Sequence, residues 1–226
     1  MPISPEEIMR RADALYAARE QTRNVRASIE LLRSSDRQDD YELVWRLGRA
    51  LFFLGQGANA PEDARALHAQ GAQASARAVR VRPRGVEGRF WLGVNLALSA
   101  RLENRLNALR LALRARRELE RAARIDAAYH AAGPLRVLAR LQHKLPRWLG
   151  GGANRARANF ERAIKIAPAN TVTRLYFAEL LTDAGARDQA RAHLDAILNT
   201  PDDPAWAFEI ERDQRLALKM LQEMKG

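Results

Sequence analysis

Small and apolar residues recur along this chain in steps of three and four, the spacing that stacks side chains on one face of an α-helix. In "ARANFERAIKIAP" the steps run Ala156, Phe160, Ala163, and Pro168 then stops the helix. Valine and isoleucine are sparse and nowhere alternate with polar residues over a strand's length. The pattern predicts helices near residues 5–19, 23–34, 41–54, 62–81, 86–99, 103–125, 128–145, 153–167, 170–184, 187–199 and 204–224. Local signals fix several starts. Ser4 reads as an N-cap with Pro5 at the first helical position and Glu7 closing a capping box. Pro61 opens the helix after "GQGANA", and Asp39-Asp40 and Asp202-Asp203 precede helices as capping residues rather than as an acid–base pair.

The spacing is repeated. Gly71, Ser75, Ala78 and Pro83 match it, as do Ala115, Leu119 and Ala122, with Ala127 in the proline's place. Ala190, Leu194 and Ile197 form a further copy, with Pro201 just beyond. Upstream halves appear in "VWRLGRALFFLG" and "RFWLGVNLALSA", centred on Leu47-Gly48 and Leu92-Gly93, and in "TRLYFAELLTDAG" with Ala178 in the glycine's place. Small residues at these points let a neighbouring helix approach closely. Paired in this order, the halves resemble tetratricopeptide repeats. The expectation is an all-α, tetratricopeptide-like helical-hairpin solenoid of about five helix pairs plus a C-terminal capping helix, one domain over residues 1–226.

One stretch interrupts the helical text: "LPRWLGGG", from Leu145 to Gly152. Glycine costs a helix about 1 kcal/mol and proline roughly 3 kcal/mol relative to alanine. Without G-x4-G-K-[ST] or a preceding strand it does not read as a nucleotide loop, although Arg155 and Arg157 follow it. It reads as the turn inside a helix pair, with glycines supplying positive φ and Trp148 and Leu149 packing as a lid on the neighbouring pair.

The longer stretch "AGPLRVLARLQHKLPRWLGGGANRARANFERAIKIAPANTVTRLYFAELLTDAG" resembles bacterial tetratricopeptide-like proteins similar to the T component associated with TRAP transporters. It also resembles the regulator of microtubule dynamics family of eukaryotes. "ADALYAAREQTRNVRASIELL" and "YELVWRLGRALFFLG" resemble the opening repeats of such proteins, so the likeness spans most of residues 10–200. Its most specific pieces are "HKLP…LGG" and "VWRLGRA". The resemblance implies an all-α repeat fold with an interaction or ligand-presenting role and no known catalysis. Its transporter-associated members are typically exported lipoproteins, and this chain departs from them in having no lipobox cysteine and no signal-like N-terminal order. With Met1 as the native start the expected location is cytoplasmic; a processed form would be periplasmic.

Composition narrows the chemistry further. With no cysteine, disulfides, thiolate metal sites and cysteine nucleophiles are excluded. His68, His130, His143 and His193 show no metal-ligand spacing, and no nucleophile elbow is present, so no catalytic residue, metal or cofactor is expected. No apolar run reaches the ~20 residues that span a bilayer. The net charge of +11, almost all of it from arginine, is spread along the chain, and its strongest local feature lies on one helix. Arg110, Arg114, Arg117, Arg121 and Arg124 follow steps of four and three and form a stripe on one helix. The stripe reads as a solvated outer face, as a docking surface for an acidic partner, or as a nucleic-acid contact; the last lacks interleaved aromatic residues.

Solenoids of this kind bind along the face made by the first helix of each pair. The register places Arg49, Phe53, Phe90, Val94, Asn95, Leu141, Leu175 and Glu179 there. That mixture suits a segment of a partner protein, which makes a non-catalytic interaction protein the leading expectation. A small apolar ligand held as in the transporter-associated relatives is the alternative.

Overall fold

The computed structural model describes residues 3–37 and 39–224. Among these residues all regular structure is helical: α1 (Pro5–Ala17), α2 (Thr22–Arg33), α3 (Tyr41–Gln56), α4 (Pro61–Val81), α5 (Val86–Ala100), α6 (Arg105–Ile125), α7 (Tyr129–Lys144), α8 (Ala153–Ile166), α9 (Thr171–Asp183), α10 (Arg187–Leu198) and α11 (Ala207–Glu223). A single 3-10 turn, Arg147–Leu149, lies between α7 and α8. The chain divides into two compact units, Met1–Asp126 and Ala127–Gly226. Within each, successive helices pack as antiparallel hairpins, α1–α2, α3–α4 and α5–α6 in the first and α7–α8 and α9–α10 in the second, where α11 packs on α9 and α10. The five pairs and the closing helix are those the repeat spacing predicts.

The repeat residues hold the pairs together. Ala156, Phe160 and Ala163 are buried, and Phe160 stacks on Phe177 with ring centroids 5.4 Å apart. Gly71, Ser75 and Ala78, then Ala115, Leu119 and Ala122, then Ala190, Leu194 and Ile197 are buried in the same way. Glycine at position 93 is a packing requirement: a β-carbon there would lie 2.7 Å from Leu119 Cγ, well inside van der Waals contact. Ser4 and Asp40 cap their helices as expected, whereas Glu7 does not close a capping box and α11 begins at Ala207 with no side-chain cap from Asp202 or Asp203. Ser4 Oγ accepts the Glu7 N–H at 3.3 Å, and Asp40 Oδ1 accepts that of Glu42 at 2.8 Å. Glu7 turns its carboxylate towards Arg10 and Arg11, at 2.6 and 2.5 Å.

"LPRWLGGG" is a turn, but not a lid. Gly150 (φ 81°) and Gly152 (φ 116°) take conformations that L side chains rarely adopt, and a β-carbon on Gly151 would fall 1.9 Å from the Leu145 carbonyl oxygen. Gly152 N–H donates to the Gln142 carbonyl at 2.9 Å, tying the turn back onto α7. The 3-10 turn throws Trp148 outward, and it stands 78% exposed. The expectation that Trp148 packs on a neighbouring pair is therefore corrected.

A second irregularity has no counterpart in the sequence pattern. His130, Ala131 and Ala132 all have positive φ, between 52° and 58°, so right-handed helix in α7 begins only after a left-handed turn. Such a conformation costs non-glycine residues roughly 1–2 kcal/mol each. Buried Arg136 holds it, donating from Nη1 to the Ala131 carbonyl (2.8 Å) and to Asn170 Oδ1 (3.2 Å). The Trp206 ring packs 5.0 Å from that of His130. Pro134 falls at the start of the right-handed portion, where its missing N–H costs nothing.

Candidate functional site

On α3, residues 42, 45, 46, 49 and 53 fall within one helical face, and α1 packs beside it. Asp13 of α1 accepts from both Arg46 (2.9 Å) and Arg49 (2.6 Å). Arg46 also pairs with Glu42 at 2.9 Å, and Glu42 accepts from Trp45 Nε1 at 2.8 Å. Burial raises the Glu42 carboxyl, but Trp45, Arg46 and Arg82 outweigh it and keep the group below its ordinary value. Rings and guanidiniums then alternate. Arg46 lies over Trp45 (4.3 Å), Arg49 over Tyr16 (3.9 Å) and Trp45 (5.1 Å), and Arg19 over Tyr16 (5.5 Å) and Phe53 (6.0 Å). Tyr16 meets Phe53 edge-on at 6.0 Å. Arg49 Nε is shielded from solvent and has no hydrogen-bond partner. Three cations thus share this face with Asp13 and Glu42, on a framework of rings that fixes their orientation.

The residues expected to line a binding face separate into two groups. Arg49 and Phe53 are half-buried and belong to this α1–α3 face. Phe90, Val94 and Asn95 are buried, because α5 is apolar on all sides and is packed by α3, α4 and α6. This corrects their placement on an open surface. Asn95 is a structural tie: its amide donates to the carbonyls of Gly48 (3.1 Å) and Trp91 (2.9 Å), and its Oδ1 lies 3.4 Å from His68 Nδ1. Leu175 is likewise buried, in the core of the second unit. Leu141 and Glu179 remain half-buried, and Glu179 accepts from Arg140, the neighbour of Leu141, at 2.5 Å. Arg140 stacks over Tyr176 at 4.6 Å, and Asp183 accepts from His143 (2.8 Å) and Lys144 (3.4 Å).

Sequence reasoning missed Asp13, Tyr16, Arg19, Trp45 and Arg46. The signal was available for the last two, which precede Arg49 and Phe53 in the same helical register. The five arginines of α6 are all exposed along one side of that helix, as the spacing predicts. Among the described residues, no group of three or more His, Cys, Asp or Glu is placed to hold a metal ion. No helix there is long and apolar enough to cross a membrane.

Antiparallel helix pairs keyed by buried small residues define a tetratricopeptide-like helical-hairpin protein. The structure is similar to the crystal structure of a thermophilic TPR protein of Thermus thermophilus, with a TM-score of 0.70 over 95% of this chain and 99% of that one. The two are 21% identical, and the likeness is one of fold. The profile of the TRAP transporter T-component matches residues 43–225, and the chain belongs to that family. No curated protein matches the sequence.

Proposed function

We propose that this protein is a non-enzymatic adaptor that holds a segment of a partner protein against the α1–α3 face of its first unit. One observation carries the reading. Half-buried Arg46 and Arg49 are interleaved there with half-buried Tyr16 and Phe53 on the first-helix side of the hairpins, over buried Arg19 and Trp45. Arginine and aromatic side chains of this kind are the usual anchors of protein interfaces. The tetratricopeptide-like fold and the T-component family support an interaction role rather than catalysis. The proposal takes residues 1–226 as one functional chain.

The test is affinity capture with wild type and with a Phe53→Glu, Arg49→Gln variant shown by circular dichroism to be folded. A partner retained by the wild type and lost by the variant is expected. Identical partner lists would overturn the assignment of this face. Family membership also favours a second reading, carriage of a small apolar ligand. Native mass spectrometry of gently purified protein separates the two: a mass in excess of the chain supports the ligand, and the bare chain supports the adaptor.

A further inference from the structure

The arginine stripe of α6 lies on a different helix from the α1–α3 face, and the adaptor reading makes no use of it. The helix carries seven arginines and two glutamates. Neither glutamate neutralises the stripe as a whole. Glu118 is buried between Arg89 (2.6 Å) and Arg121 (2.8 Å), and Glu120 is 3.5 Å from Arg116. Arg110, Arg114, Arg117 and Arg124 are exposed and, among the described residues, form no ion pair; Arg117 donates only to the carbonyl of Leu113 in its own helix, at 3.4 Å.

These side chains project from a single helix and leave a shallow, open groove among them. It has a volume of about 550 Å³ and is lined by Arg110, Arg114, Arg117, Glu118 and Arg121 together with half-buried Leu111 and Leu113. The cations follow steps of four and three residues, which at 1.5 Å per residue extends the row over roughly 21 Å. A second helix laid alongside would present carboxylates at the same steps, with an apolar side chain between them for the recessed leucines. A nucleic-acid strand finds no aromatic ring on α6 for its bases to stack on.

We infer that the α6 groove is a docking site for an acidic amphipathic helix of a partner protein. Charge complementarity sets its register, and Leu111 and Leu113 supply the apolar contact.

The probe is a synthetic helical peptide with glutamates in alternating steps of four and three and leucines beside them. Its control has the same composition with the glutamates scattered around the helix. Anisotropy titrations against the full chain are expected to show the patterned peptide binding more tightly than the control, with affinity falling as salt rises. Substituting Arg110, Arg114, Arg117 and Arg124 with Gln should weaken binding roughly tenfold, since each exposed pair is worth only a fraction of a kcal/mol. Leu113→Ser should weaken it at high salt as well, which a purely electrostatic contact would not show. The Phe53→Glu, Arg49→Gln variant should leave it unchanged, so this site and the α1–α3 face stand or fall separately. Equal binding of the two peptides, wild-type affinity in the quadruple variant, or tighter binding to phosphatidylglycerol vesicles or a single-stranded oligonucleotide would each overturn the inference.

Discussion

The two units build the same hairpins but handle polar groups in opposite ways. At the centre of the first, the fully enclosed polar side chains are neutral: Asn95 and Ser75 with nearby His68, bridging α3, α4 and α5. Its arginines lie mostly along faces, Arg46 and Arg49 among the rings of α1 and α3 and five along α6, while Arg19 is buried beside those rings. The second unit puts charge inside. Asp213 on α11 is completely buried, accepting from Arg212 (2.6 Å) and Thr171 Oγ1 (2.8 Å), and Arg136 is only 4% exposed. Burial depresses the Arg136 guanidinium to about 10, still charged at neutral pH, and pushes the Asp213 carboxyl up. On the faces of α7 and α9 Arg140 is paired with Glu179 and Lys144 with Asp183, while Arg174 donates to the Pro168 carbonyl. In the second unit a buried cation holds an unfavourable backbone.

The sharpest way to break this contrast is to remove the internal cation. Arg136→Ala should destabilise the second unit by roughly 1–3 kcal/mol for each buried acceptor it leaves without a donor, the Ala131 carbonyl and Asn170 Oδ1. Arg46→Ala should cost the first unit less, because its acidic partners Asp13 and Glu42 are half-exposed and stay solvated without it. Denaturant titrations of both variants would show it, and equal losses would erase the distinction.

A smaller effect is expected from pH. Folding keeps His143 and His193 of the second unit below their ordinary value. Burial is the main cause in both, with Lys144 adding at His143, against Asp183, and Arg174 and Arg157 adding at His193. In the first unit burial likewise lowers His68, against its contact with Asn95. A depressed folded-state value means that the stability is present above the unfolded pKa, near 6.5, and lost as pH falls through and below it. Asp213 works in the other direction, since its raised value makes the fold easier to keep as that carboxyl takes up a proton in stronger acid. Between about pH 7.5 and pH 5.5, hydrogen-exchange protection, taken relative to the intrinsic exchange rate at each pH, should therefore fall more in α7–α10 than in α3–α5. The reverse order would show that the histidines do not set the acid response.

The smallest effect should come from Trp148→Ala, within about 0.5 kcal/mol as for an ordinary surface site. A large loss would mean that the indole is covered in solution.

The helix pairs were legible because their keys are local: a small residue, a bulky one and a stop at fixed steps mark each second helix whatever surrounds it. The binding face was only half legible. Phe90 and Val94 stand in the same upstream motif as Arg49 and Phe53, but whether such a face is open depends on packing by other helices, which the motif does not encode. Asn95 shows the difficulty well, since its partners Gly48 and His68 come from α3 and α4. The left-handed turn at His130–Ala132 was not legible at all. Alanine gives no hint of positive φ, and the groups that enforce it include Asn170 and Trp206, far along the chain.

The outward indole on the 3-10 turn also gives the unmodified protein a built-in optical contrast. Trp91 is sealed in the core, whereas Trp148 meets water beside Arg147 and near Lys144. A small anionic quencher such as iodide should drain light from the second and leave the first bright, so any partner that settles over this corner would announce itself without a label.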